Sequence, residues 1–304
     1  MIWKRLMKQR FALLSLIICL LFLGLAVFAE IYSAHCAATG KTPVYEEIAP
    51  EKRNLPPCRE YWMGTDYLGR SVLIRAVFGA KTAVKVGVIA SLISALFGVL
   101  LGIWAGYKGG KTDDFVVWIY STFASMPTLL FILAFSLLVS KGFLFPPLES
   151  AFAGLAALLR TEPGMLSVYL GIGLTGWVAL CRVVRAETMK LREMQYVQAA
   201  KTLGVSDTRI VFRHILPNLS HLIIVYFTMR FAFAVMTEVI VSYLGFGAQR
   251  EPSWGAMISQ GQSQLWRGIW WEAGTATLFM FVLVLALNLL GDALRDATDP
   301  KLKF

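Results

Sequence analysis

The chain is poor in charge, in histidine and in cysteine. Only 16% of its 304 residues are charged while 57% are hydrophobic, a balance that excludes an ordinary water-soluble domain. Three histidines, His35, His214 and His221, lie too far apart in sequence to suggest a metal cluster. Of the four cysteines, Cys19 and Cys181 fall in or beside apolar stretches and read as small apolar residues. Cys36 and Cys58 fall together in a polar stretch; spacing alone leaves a bridge and two free thiols equally open. A phosphate loop is also lacking. Gly109-Gly110-Lys111-Thr112 ends like one, but Ala105 stands where its first glycine belongs and no strand precedes it. The apolar stretches hold no clustered His, Asp or Ser-Lys pairs of the kind a membrane-embedded enzyme needs.

What the sequence has in abundance is long apolar runs. Six of them, at 11–29, 82–107, 115–140, 165–184, 219–244 and 273–290, are about long enough to cross a bilayer. The expected fold is an all-α integral membrane protein with six transmembrane helices. The net charge of +10 gathers at the ends of these runs and in one loop, so membrane topology explains it better than nucleic-acid binding. The first ten residues carry Lys4, Arg5, Lys8 and Arg10 and no acid. The run that follows is too long for a signal peptide and reads as an uncleaved span with the N-terminus inside. The chain divides into an anchor span (1–30), an extracytoplasmic loop with an amphipathic approach (31–81) and a five-helix core (82–304).

Several local patterns carry expectations. Gly98, Gly102 and Gly106 put small residues on one helix face and permit close packing. Pro127 should kink the third span. The apolar piece 151–159 is too short to cross and reads as an interfacial insertion. Arg70, Arg75, Lys81 and Lys85 violate the positive-inside pattern, so an interfacial helix with snorkelling side chains is expected there. Trp254, Trp266, Trp270 and Trp271 suit an interfacial belt. Arg230 and Glu238 share a face of the fifth span and either line a path or make a polar contact between helices. Asn288 and Asp292 suggest contacts near an inner gate.

Residues 182–218 break the apolar pattern. Arg182, Arg185, Lys190, Arg192, Lys201, Arg209 and Arg213 face only Glu187, Glu193 and Asp207, which reads as a cytoplasmic loop. Tyr196, Ala199, Ala200 and Leu203 form one helical stripe, stopped by Gly204. Ser206 and Asp207 then open a second short helix, which Leu216-Pro217-Asn218 should break before the next span. Connections this long are uncommon unless they serve a partner.

The string Gln198-Ala199-Ala200, Gly204, Asp207, Ile215-Leu216-Pro217 resembles the coupling loop of the permease subunits of ATP-binding-cassette importers, in the peptide and nickel branch. Gln198 stands where that family has Glu, and His214 where the general pattern has Ile. Gly64-Thr65-Asp66 with Leu68-Gly69-Arg70, the 242–258 stretch and the tail from Asn288 resemble further blocks of the branch, in the right order, with Ser71 in place of its usual Asp. The resemblance implies a C-type permease subunit of an importer for di- or oligopeptides or a related small solute. Its partners would be a second homologous permease, two ATP-binding subunits, an extracytoplasmic solute-binding protein and membrane lipid. No cofactor would be bound by this chain, with ATP and Mg²⁺ held by the ATPase subunits, and residues 187–217 would dock on one of them. A secondary transporter driven by an ion gradient would instead show inverted repeats and ion-binding broken helices; no internal repeat is visible.

Overall fold

The computed structural model describes residues 10–140, 146–247 and 251–298. The basic residues Lys4, Arg5 and Lys8 and the tail beyond Thr298 lie outside these. Among the described residues the structure is helical, apart from one isolated bridge between Thr65 and Ser71.

Helix α1 (Arg10–Thr39) packs along α2 (Val72–Lys108) and α11 (Trp271–Thr298). Between α1 and α2 runs an irregular segment with two short 3-10 turns. After α2 come α3 (Gly110–Ser125), α4 (Thr128–Ser140), α5 (Pro146–Leu158) and α6 (Pro163–Arg192). The short α7 (Gln195–Thr202) and α8 (Asp207–Ile210) precede α9 (Leu216–Tyr243), and α10 (Trp254–Leu265) leads into α11. Five helical rods are long and apolar enough to cross a membrane, and a sixth if α3 and α4 count as one.

The glycine stripe does what its spacing predicts. The most extensive packing in the chain is α2 on α6. A Cβ on Gly102 would lie 2.9 Å from the Cys181 carbonyl oxygen, and one on Gly106 would lie 2.6 Å from that of Arg185. The missing side chains let the two backbones touch, which in lipid replaces the hydrophobic drive available in water.

Three expectations are corrected. The amphipathic approach is not a separate interfacial helix, because residues 72–108 form one continuous rod. At about 1.5 Å per residue it is roughly 55 Å long, more than the ~30 Å hydrocarbon core, so the rod is longer than a bilayer crossing needs. At Pro127 the third span does more than kink. Its two halves meet at 88°; proline disfavours a helical conformation at the residue before it, and the φ/ψ of Met126 are extended. Leu216-Pro217-Asn218 does not end the second loop helix. A π-helical turn, Val211–Ile215, joins α8 to α9, so residues Asp207–Tyr243 act as one span. The wider turn accommodates the proline's missing N–H without breaking the rod. The short apolar insertion exists as α5, followed by a turn in which Arg160 has a positive φ of 46°.

Candidate functional site

Two regions concentrate polar chemistry, one at each end of the bundle. At one end, α7 and α8 form a compact knob between α6 and α9. Gly204 stops α7 in the left-handed conformation (φ 76°), as its position predicts. Ser206 occupies the N-cap of α8, although its side chain caps nothing. The knob has its own small core of Val197, Ala200, Ile210, Ile215 and Leu219, packed on Leu180, Val184 and Leu191 of α6. Asn218 Nδ2 donates to Tyr196 Oη at 3.3 Å and to the His214 carbonyl at 2.6 Å, which ties α7 to the start of α9. Tyr107, at the end of α2, donates to Asp207 at 2.8 Å.

The stripe on α7 turns outward except at Ala200. Val197 and Ala200 face inward, whereas Tyr196, Ala199 and Leu203 face out, Leu203 at 83% exposure. With Met194 and Phe212 they give the knob an apolar outer face over a basic surround. Gln198 is exposed, and its amide donates to the Arg192 carbonyl at 2.8 Å. Ile215 is buried, Leu216 half-buried and Pro217 exposed. The structure therefore brings the loop candidates together as one unit, part scaffold and part surface. Nearby, Arg185 pairs with Asp113 through two bonds and Arg192 Nη1 donates to the Gly106 carbonyl at 3.0 Å. These contacts fix the Gly109-Gly110 turn, which joins two helices and follows no strand.

The opposite end holds a buried ionic network that the sequence reading missed. Asp66 is 1% exposed. Its Oδ1 accepts from the Leu68 and Arg70 amides at 2.8 and 2.9 Å, and its Oδ2 from Arg70 Nε at 2.7 Å and Arg75 Nη1 at 2.8 Å. Arg75 Nη1 also reaches Gln260 at 3.1 Å and Glu272 at 3.2 Å. Lys81 pairs with Glu251 at 2.7 Å, while Lys85 pairs with Glu30 at 2.8 Å and donates to the carbonyls of Leu159 and Arg160. Arg75 and Lys81 thus do not snorkel to an interface; acids from distant parts of the chain meet them. Trp254 and Trp271 are buried as well, donating to the Ala76 and Thr65 carbonyls at 2.8 and 2.9 Å, so only Trp266 and Trp270 are left for a lipid-facing belt. The acids that complete the network sit at span ends, where a search for charge inside the spans overlooks them.

Between the two ends, Arg230 and Glu238 part company. Glu238 is 1% exposed and accepts from Ser242 Oγ at 2.5 Å. It faces the chain's own core rather than any open surface, because its neighbours Val235 and Val239 belong to the main apolar cluster. Arg230 is only half-buried, beside the exposed stripe Met229, Phe233, Met236 and Ile240. Cys36 is buried at the end of α1 and Cys58 is exposed; both are free thiols, so the bridge is not formed. Among the described residues no three His, Cys, Asp or Glu side chains converge as a metal site. Asp292 is exposed on the last turns of α11.

Residues 98–304 match the family described as binding-protein-dependent transport system inner membrane component, and residues 1–57 match the N-terminal transmembrane domain of oligopeptide transport permease C. The dipeptide transport system permease of Bacillus subtilis (strain 168) is 34% identical over 302 residues, covering 99% of this chain and 85% of its own. The oligopeptide transport system permease of the same organism is 31% identical over 311 residues, 99% and 90% of the two chains. The glutathione transport system permease of Pectobacterium atrosepticum is 30% identical over 302 residues, again 99% and 90%.

Proposed function

The chain belongs to the family of binding-protein-dependent transport system inner membrane components, and from that premise we propose that it forms half of the translocation path of an ATP-driven importer of di- or oligopeptides. As a member of this family it is a multi-pass permease subunit of an ATP-binding-cassette transporter and not an enzyme. In the proposed assembly it meets a homologous second permease, two ATP-binding subunits that hold the ATP and Mg²⁺, and an extracytoplasmic solute-binding protein. The knob end faces the cytoplasm of a bacterial cell, with both chain termini on that side; Ala12 and Leu16 near the start of α1 pack on Leu290, Ala293 and Leu294 near the end of α11.

The observation that carries the reading is the outward-facing stripe of α7. Tyr196 and Leu203 lie on a surface that the described residues do not cover, while the knob keeps its own core. Exposed apolar residues on an ordered, basic projection outside the lipid mark a protein interface. Mechanistically, ATP can shift the balance between inward and outward states only through contacts that differ between them. Because α8 runs without a break into α9, displacement of the knob by an ATPase subunit tilts a whole span.

The test is co-purification of the tagged chain from detergent-solubilised membranes, compared with Leu203→Glu. Leu203 contributes nothing to the internal core, so the variant should fold. The wild type should bring down a phosphate-loop ATPase and a second permease, and the variant should lose the ATPase alone. Retention of the ATPase by Leu203→Glu would remove the knob from the interface. A chain recovered alone, and active in liposomes under an ion gradient, would restore the secondary-transporter reading.

A further inference from the structure

The three fully buried acids among the described residues all have partners: Asp66 and Glu272 with Arg75, and Glu238 with Ser242. Arg230 is the converse case. It lies near the middle of α9, about 20 Å from either end by helix rise, and so close to the midplane of the proposed membrane. Among the described residues it makes no ion pair, and its Nε has no hydrogen-bond partner. Yet the chain builds a cradle for it. A Cβ on Gly176 would stand 2.1 Å from Arg230 Nη2 and 2.5 Å from Ser94 Oγ, so only glycine leaves room there. The guanidinium carbon lies 4.7 Å from the centroid of the Phe233 ring, a ring that is 48% exposed. The cradle is thus closed by α2 and α6 behind and open on the side that carries the exposed stripe of α9.

An arginine held at membrane depth is costly unless it meets an anion or water, and such residues mark substrate paths. Among the described residues none supplies that anion. The planar fork of arginine matches a carboxylate in particular. We propose that Arg230 receives the carboxylate of the solute at mid-path and so restricts the cargo to solutes with a free carboxyl group. A site that passes peptides of varied side chains must read something they share, and the C-terminal carboxylate is such a group. The proposal rests on the peptide-importer reading and deepens it: a bare metal cation would be repelled at this point.

The experiment uses the assembled importer in proteoliposomes. It measures uptake of peptide pairs, free acid and C-terminal amide, chosen for equal affinity to the solute-binding protein. The wild type should prefer the acid roughly tenfold or more, the usual effect of one charge-assisted contact. Arg230→Met should bring the acid-to-amide ratio close to one, and Arg230→Lys should keep part of the preference. If Arg230→Met lowers both uptakes equally, or leaves the ratio untouched, the proposal is wrong. If the variant instead loses its second permease on purification, the missing anion belongs to that subunit and the proposal is again wrong. If the wild type carries neither member of any pair, the peptide reading itself fails and the proposal falls with it.

Discussion

Asp66→Asn should be among the most damaging isosteric changes in this protein, and the geometry says why. The two oxygens of Asp66 have separate tasks. Oδ1 takes the Leu68 and Arg70 amides, and an asparagine carbonyl can keep both. Oδ2 takes Arg70 Nε and Arg75 Nη1, and there the asparagine NH₂ would set donor against donor. Arg75, 5% exposed, would be left with Gln260 and one 3.2 Å contact to Glu272. Breaking a buried pair by removing one partner costs about 3–5 kcal/mol, or a fall in melting temperature on the order of 10 °C for a chain of this size. Glu272→Gln removes the same charge but only the single long contact, and its amide oxygen can still accept from Arg75, so about 1–2 kcal/mol is expected. Adding Arg75→Met to Asp66→Asn should cost less than the two singles summed, with a coupling of roughly 1–3 kcal/mol, because the stranded charge is gone. Thermal melting of the purified protein in detergent measures all four variants. Equal losses for Asp66→Asn and Glu272→Gln, or strict additivity in the double variant, would refute the claim that one carboxylate organises this end of the bundle.

Other substitutions probe other parts. Gly204→Val meets no atom within 4 Å of the new Cβ, but forces a β-branched residue to a φ of 76°; a local strain of about 1–3 kcal/mol should uncouple ATP hydrolysis from uptake in proteoliposomes while the protein still inserts, and unchanged transport would count against the knob as coupler. Gly102→Leu overpacks the α2–α6 contact and should lower stability by about 1–3 kcal/mol in the same melting assay, whereas Gly24→Leu, with open space around it, should be neutral. In intact cells an impermeant maleimide should label the exposed Cys58 and spare the buried Cys36; no labelling of Cys58 before lysis would reverse the proposed orientation.

Much of this fold is written in local pattern. The glycine repeat at 98, 102 and 106, the stop at Gly204 and the approximate places of the long apolar helices follow from spacing and hydropathy, because lipid imposes length and internal hydrogen bonding on any segment that crosses it. What was illegible depends on partners far away in sequence. Arg75 and Lys81 look like interfacial snorkels until Glu272 and Glu251, some 170–200 residues later, are found beside them. Periodicity does not say which residues of the α7 stripe turn toward their own chain. Tyr196 and Leu203 do not. The π turn at 211–215 has no signature in composition, since it reconciles Pro217 with continuity rather than ending the helix.

That continuity gives the protein a lever. The rod from Asp207 to Tyr243 is gripped partway along, where a Cβ on Gly87 would meet Phe231 at 2.3 Å and one on Gly176 would meet Arg230 at 2.1 Å. Take that clamp as a fulcrum. By helix rise, the arm toward the knob is then about 35 Å and the arm toward Tyr243 about 20 Å. Travel shrinks along such a beam while force grows, by nearly twofold. A generous push at the knob arrives at the far end as a short, strong stroke, delivered to the segment where Glu238, Ser242 and Gly255 pack against one another.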